Sequence, residues 1–300
     1  MSQDERRCGF VAVLGAPNAG KSTLVNALVG AKVSIVTPKV QTTRMRILGI
    51  GLVGASQLVF VDTPGIFAAK ARLERAMVAA AWAGAGEADL VLLTVDAKRG
   101  LDQTTQAIVP GLARLKPPCW LVLNKLDLVS PPSLLGLAKA LNDSLPFQRT
   151  FMVSAATGDG VADLRGALAA AAPVGDWHYP ADQLADLPQR LLAAELTREQ
   201  LFLRLHDELP YACFVETEAW QERRDGGVRI EQTVYVRRPG QRAIVLGEGG
   251  RTIKQIGARA RAALAGQLGR PVHLFLHVKL RENWPEERGP YRALGLDYEA

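Results

Sequence analysis

The stretch GAPNAGKSTL, Gly15 to Leu24, decides the fold. It follows the apolar run FVAVL (10–14), and its spacing Gly15-x-x-x-x-Gly20-Lys21-Ser22 is that of a phosphate-binding loop. The glycines let backbone N–H groups curl around phosphate oxygens, and a helix starting at Lys21 adds the positive end of its dipole. In that chemistry Lys21 reaches the β- and γ-phosphates and the Ser22 hydroxyl sits on Mg²⁺, with Asn18, Ala19 and Thr23 completing the cradle. At average residue usage such a match arises in about one 300-residue chain in a hundred, and few of those place it between a strand and a helix.

Working outward, the first half alternates short β-rich runs with helical patterns. RMRILGIGLVG (44–54) and SQLVFVDTPG (56–65) read as a strand pair. ADLVLLTVDA (88–97), PCWLVLNKLD (118–127) and RTFMVSAATG (149–158) read as further apolar strands, each ending in a polar loop. Fully apolar strands separated by helices predict a mostly parallel α/β sheet covered on both faces, with ligands beyond the carboxyl ends of its strands. AAPVGDWHYPADQLADLP (171–188) breaks the rhythm with prolines and reads as a linker. The expected division is a nucleotide-binding domain over 1–172, a linker over 173–187 and a second domain with a C-terminal tail over 188–300.

Composition narrows the class. With 48% hydrophobic residues the chain can bury two cores, and no apolar run approaches the length of a membrane-spanning helix. MSQDERRCGF lacks the apolar core of a signal peptide, so a soluble cytoplasmic protein is expected. Cys8, Cys119 and Cys213 are an odd, scattered set that fits reduced thiols rather than disulfides. His273 and His277 can share a strand face but have no further ligand candidates nearby, so no metal centre is expected there. The formal charge of +6 is unevenly spread: residues 237–281 hold ten Lys or Arg against one acid, Glu248, the footprint of a nucleic-acid surface.

The base is chosen by NKLD (124–127), which follows an apolar strand. The Asp127 carboxylate can accept both the N1–H and the exocyclic amine of guanine, a donor pair adenine lacks. Asn124 would brace the loop and the Lys125 stem would lie along the base. SAA (Ser154, Ala155, Ala156) ends the next strand, where a backbone N–H can meet guanine O6. In DTPG (62–65), Asp62 can hold Mg²⁺ through water and the Gly65 N–H can meet the γ-phosphate. A plain P-loop kinase would leave NKLD without a task, so the ligand expected is GTP or GDP with Mg²⁺.

At this point the first half resembles the translation-factor-like G proteins, with QTTR (41–44) in the place of their second motif. The resemblance implies a switch threonine at Thr42 or Thr43; spacing does not choose between them. It departs at Ile66, where many small G proteins carry a water-orienting Gln; an apolar side chain cannot do that work, so intrinsic hydrolysis should be slow or use another group. Similarity to G proteins with a PNxGKS loop implies that Asn18 helps hold K⁺ where others use an arginine finger.

The second half reads as a long helix over 188–210, a hairpin over 211–238 turning at Arg224-Asp225-Gly226-Gly227, a short strand over 242–247, a helix over 251–269 and a strand over 271–280. Between the short strand and that helix lies Gly247-Glu248-Gly249-Gly250, followed by Arg251 and Lys254. A GxxG there lets a nucleic-acid backbone approach closely, as in type II KH modules of α+β class. Arg259 and Arg261 would extend the basic surface, and Ile244, Ile253 and Ile256 are candidates for packing on bases. Trp284 would stack on RNA or cap the domain.

A G domain followed by such a KH domain resembles the Era-like GTPases over nearly the whole chain, through QTTR, VDTPG, ELPY (208–211), VLGEGGRTIKQIGARAR (245–261) and LGL (294–296). The resemblance implies a GTP-hydrolysing switch that binds 16S ribosomal RNA near its 3′ end and acts in assembly of the 30S subunit. It also implies a monomer, with peripheral association with the inner membrane in some members. A GTPase acting in tRNA modification or at the membrane is the alternative, but the extra domains, reactive C-terminal cysteine or helical stalk of such proteins are not seen.

Overall fold

The computed structural model describes residues 5–300. Two compact units divide the chain: one runs through Asp186 and takes in Tyr291–Ala300, and the other is Leu187–Pro290. The sequence groups the tail with the second half; the Arg72 guanidinium, 4.5 Å from the centre of the Tyr298 ring, places Tyr298 with the first.

The first unit contains β1 (Arg7–Leu14), α1 (Lys21–Val29), β2 (Ile47–Val53), β3 (Ser56–Asp62), α2 (Arg72–Gly86), β4 (Leu90–Asp96), α3 (Gln103–Leu112), β5 (Cys119–Asn124), α4 (Pro131–Ser144), β6 (Thr150–Val153), α5 (Val161–Ala171) and β7 (Ala185–Asp186). The sheet order is β6-β5-β4-β1-β3-β2-β7. It is parallel except for β2, which turns back from β3, and β7, which is antiparallel to β2. β1 is central, with β3 on one side and β4 on the other, so the strand order reverses beyond its carboxyl end, where a ligand crevice opens.

Successive side chains of a strand point to opposite faces. Val11 and Val13 therefore join a core with Leu24 and Leu28 of α1 and Leu164 and Leu168 of α5. Ala12 and Leu14 join the opposite core with Ala81 and Ala85 of α2, Ile108 of α3 and Leu141 of α4. Both faces being covered, β1, β4 and β5 show no apolar–polar alternation. Each fully buried Leu or Val stabilises the fold by about 1.5–3 kcal/mol relative to exposure.

The segment read as a linker is laced to the sheet edge. Trp177 Nε1 donates to Ala55 O at 3.0 Å, and Gln57 Oε1 accepts from the N–H groups of His178 and Tyr179 at 2.9 and 3.0 Å. Ile50 N–H donates to Leu184 O at 2.8 Å, and β7 then pairs with β2.

The second unit holds α6 (Gln189–Arg204), β8 (Phe214–Glu222), β9 (Val228–Val236), α7 (Pro239–Leu246), α8 (Arg251–Leu268) and β10 (Val272–Leu280); α9 (Arg288–Leu294) follows. The sheet order is β10-β9-β8, with β8 antiparallel and β10 parallel to β9. Its core gathers Leu201 of α6, Val234 and Val236 of β9, Val245 of α7 and Ile256 of α8.

The short strand expected over 242–247 is a helix. Pro239 starts it, and Gln241 Oε1 accepts from the N–H groups of Arg237 and Arg238 at 2.9 and 3.0 Å, closing the first turn. A six-residue apolar run is too short for periodicity to separate strand from helix. The order is therefore α-β-β-α-α-β, and the GxxG joins two helices. Trp284 is core: its Nε1 donates to Ala212 O at 3.0 Å and its ring stacks on Phe214 at 5.3 Å.

Candidate functional site

The phosphate loop leaves the end of β1 under tight constraint. Gly15 has φ +149°, and a Cβ there would stand 2.2 Å from Thr94 O. Gly20 has φ +90°, and its Cβ would stand 2.2 Å from Asn124 Nδ2. No other residue fits either position. Lys21 lies buried behind the loop with Nζ 3.1 Å from Gly15 O and 2.9 Å from Ala16 O. Burial pushes its ammonium down to about 8, against the raising effect of Asp62.

Asp62 ends β3 with no exposed surface. Ser22 Oγ donates to Asp62 Oδ2 at 2.7 Å and lies 2.8 Å from Thr43 Oγ1. Burial raises the Asp62 carboxyl, and the Ser22, Ser34 and Thr43 hydroxyls and the Lys21 charge oppose that shift. Among the described residues, Asp62 Oδ1 has no hydrogen-bond partner. Two hydroxyls and a carboxylate with a spare buried oxygen form a hard-oxygen donor set suited to Mg²⁺. Of the two candidate threonines, Thr43 is the one in this cluster. Thr42 Oγ1 donates to Lys39 O at 2.9 Å and lies 2.6 Å from Thr37 Oγ1.

Beside the loop mouth, Asn18 has φ +64° and donates from Nδ2 to Pro38 O at 3.1 Å. Gly65 sits so close to Pro17 that a Cβ would meet it at 3.0 Å. The Ile66 side chain is buried in the α2–α4 core, and its N–H donates to Gly15 O at 3.1 Å. Thr23 lines the same cavity as Asn18 and Gly65.

Asn124, buried at the end of β5, ties three loops together. Its Nδ2 donates to Ala19 O at 2.9 Å, while Oδ1 accepts from Lys125 N–H at 2.8 Å and Ala155 N–H at 3.0 Å. Lys125 Nζ donates to Asn18 O at 2.7 Å and pairs with Asp96 Oδ2 at 2.6 Å. Asp127 is exposed, free to meet a base. Ser154 is buried, with Oγ accepting from Thr157 N–H at 3.2 Å, and Ala156 is exposed beside it.

Sequence reasoning missed Asp96, Ser34 and Asn26. Asp96 ends β4 as Asp62 ends β3, so its strand-end position was the available signal. Asn26 Oδ1 accepts from the N–H groups of Val33 and Ser34 at 2.9 Å each, and Nδ2 donates to Ser34 O at 2.9 Å; nothing local marks it in sequence.

In the second unit the loop between α7 and α8 needs its glycines. Gly247, Gly249 and Gly250 have φ of +70°, +59° and +76°, and a Cβ on Gly247 would be 2.2 Å from Thr252 Oγ1. Glu248 pairs with Arg251. Beside the loop, Ile253, Lys254 and Arg261 of α8 and Leu274 and Leu276 of the edge strand β10 line a groove of about 400 Å³. Arg259 is exposed on α8 and does not line it. Of the three isoleucines, only Ile253 faces the groove: Ile256 is core at 1% exposure and Ile244 stands out from α7 at 61%.

A doubly wound sheet with this phosphate loop, and a helix–GxxG–helix domain beyond it, define a P-loop GTPase joined to a KH domain. The family described as 50S ribosome-binding GTPase matches residues 10–125, and the KH-domain family matches residues 208–285. GTPase Era of Bradyrhizobium sp. (strain BTAi1) is 58% identical over 98% of this chain and 96% of its own. GTPase Era of Rhizobium meliloti is 57% identical over 97% and 93%. The chain belongs to the Era family of GTPases. A crystal structure of Era with MgGDPNP and nucleotides 1506–1542 of 16S ribosomal RNA is 35% identical with a TM-score of 0.92, covering 97% of this chain and 99% of that one. Aquifex aeolicus Era, as a variant bound to GDP and aluminium fluoride, matches at 35% identity with a TM-score of 0.91 over 96% of this chain and 99% of that one.

Proposed function

We propose that this GTPase binds the 3′ region of 16S ribosomal RNA through its KH domain and acts in 30S subunit assembly, with GTP favouring the RNA-competent state. The observation that carries the reading is the groove along the helix that follows the GxxG loop, lined by Lys254 and Arg261 and by apolar Ile253, Leu274 and Leu276. Cations there meet the RNA backbone while the apolar lining accepts bases. The solved Era complex with an RNA fragment and MgGDPNP supports the same pairing of activities.

In GTP hydrolysis, water attacks the γ-phosphorus and the bond from it to the β–γ bridging oxygen breaks, leaving GDP and phosphate. Lys21 would place its charge on the β- and γ-oxygens, the Gly65 N–H would meet the γ-phosphate, and Ser22, Thr43 and Asp62 would hold Mg²⁺. When bound, the metal neutralises charge developing on the bridging and γ-oxygens. Asp127 reads guanine, Asn124 fixes the loops and Lys125 lies beside the base. Buried Ile66 cannot orient water; Asn18 would help hold a K⁺, which would supply the positive charge an arginine finger gives elsewhere. The protein acts as a monomer in the cytoplasm, with peripheral contact at the inner membrane tested by cell fractionation. No helix among the described residues is long and apolar enough to cross a membrane.

The test is binding of a labelled single-stranded RNA from the small-subunit 3′ end with a GTP analogue, with GDP and with no nucleotide. Tighter binding with the analogue is expected. Equal binding in all three keeps the RNA target but removes the nucleotide coupling, and no binding removes the target.

A further inference from the structure

Three successive carbonyls of the phosphate loop are each held from outside by a side chain of another loop. Arg99 Nη1 donates to Pro17 O at 3.3 Å, Lys125 Nζ to Asn18 O at 2.7 Å and Asn124 Nδ2 to Ala19 O at 2.9 Å. Lys125 and Asn124 belong to the NKLD motif already assigned to the base. Arg99 belongs to no motif. It lies in the turn after β4, where Asp96 Oδ1 accepts from the N–H groups of Lys98 and Arg99 at 2.9 and 3.3 Å, and the second oxygen of the same carboxylate pairs with Lys125. Asp96 thus anchors two of the three clamps.

We propose that Arg99 is a positioning residue for GTP hydrolysis, fixing the Pro17–Asn18 peptide so that the Asn18 N–H is presented to the phosphates. The C=O and N–H of one trans peptide point in opposite directions. Holding Pro17 O outward therefore turns the Asn18 N–H the other way, towards the cavity lined by Asn18, Gly20, Lys21 and Gly65. The neighbouring Ala19 N–H is spent on Ala16 O at 3.3 Å, whereas no described residue accepts from the Asn18 N–H. A donor aimed where charge develops acts only if it does not have to reorient during the reaction. The exposed guanidinium makes no ion pair with any described residue, so its hydrogen bond to the loop carries a full positive charge that also polarises the Pro17–Asn18 peptide.

The inference rests on the phosphates lying in that cavity, which binding of GDP by the unaltered protein checks separately. The experiment compares wild type, Arg99→Ala and Arg99→Lys for GTP turnover, GDP affinity and melting temperature. Arg99→Ala is expected to lower kcat about 10- to 100-fold while leaving KM for GTP, GDP affinity and melting temperature within error, because misplacing one donor costs the transition state and not the ground state. Arg99→Lys, which keeps a cationic donor on a long stem, should regain most of the loss. Wild-type turnover in Arg99→Ala, a joint fall of turnover, GDP affinity and melting temperature, or no rescue by lysine would each overturn the proposal.

Discussion

Ser22 Oγ donates to Asp62 Oδ2 at 2.7 Å, tying the first residues of α1 to the last residue of β3. Two segments forty residues apart in sequence thereby present a hydroxyl and a carboxylate at one point, and the Thr43 hydroxyl completes the set from a third segment.

Thr43→Ala should weaken Mg²⁺-dependent retention of GTP roughly tenfold or more, as loss of a metal-shell group commonly does. Thr42→Ala, whose hydroxyl bonds to Lys39 O instead, should leave it nearly unchanged. Release of a fluorescent GTP analogue across an Mg²⁺ titration reads both, and a larger effect of Thr42→Ala would return the role to Thr42.

Asp127→Asn replaces the acceptor pair for guanine with a mixed donor and acceptor. GTP affinity should fall by about 100-fold or more, with xanthosine triphosphate gaining in its place. Competition binding with the two nucleotides is the check, and undiminished GTP affinity removes Asp127 from the base site.

If K⁺ supplies the missing charge, hydrolysis should run roughly tenfold or more faster in K⁺ than in Na⁺, and Asn18→Ala should erase that difference. Turnover measured at constant ionic strength while the two salts are exchanged decides it. Equal rates in both salts would leave Asn18 as a loop residue bonded to Pro38.

The two outer glycines of the GxxG should behave differently. Gly250 has open space around a built Cβ, whereas one on Gly247 meets Thr252 at 2.2 Å. Gly250→Asp should cost about 1–2 kcal/mol for its left-handed backbone, fold, and lose RNA affinity through repulsion while hydrolysing GTP normally. Gly247→Ala should lower the melting temperature of the domain. Equal loss of hydrolysis in Gly250→Asp would make the loop structural.

Burial pushes the Cys119 thiol up to about 12, because a thiolate within the sheet would lose its hydration. A raised thiol pKa leaves about one part in ten thousand as thiolate at pH 8, so alkylation of Cys119 should be negligible in the folded protein. Labelling should become complete after denaturation, and in the folded protein it should rise about tenfold per pH unit above pH 8. Rapid native labelling at pH 8 would contradict this burial.

The nucleotide site was legible because its chemistry sits at or just beyond strand ends: Asp62, Asn124 and Ser154 end or directly follow an apolar run, and Lys21 follows one across the glycine loop. Thr43 could not be separated from Thr42, since adjacent residues in an irregular segment point according to backbone turns that no periodicity encodes. The α7 error has a related cause. In RAIVLG the deciding feature lies before the run, in Pro239 and the Gln241 amide, and not in the apolar residues themselves. Arg99 was invisible because it acts on the backbone of a distant segment, and Asn26 because it braces the irregular loop just after its own helix; neither contact has a sequence pattern.

The pairing of β7 with β2 fixes where the chain can be cut. An expressed fragment ending at residue 172, where the sheet's last helix stops, would strip Ile50 N–H, Ala55 O and the Gln57 amide of their partners. It would also bare one side of β2, a seven-residue strand of mostly apolar residues open to pairing with other chains. Fragments of the first half that stop short of Asp186 should therefore aggregate, and those that extend through it should stay dispersed.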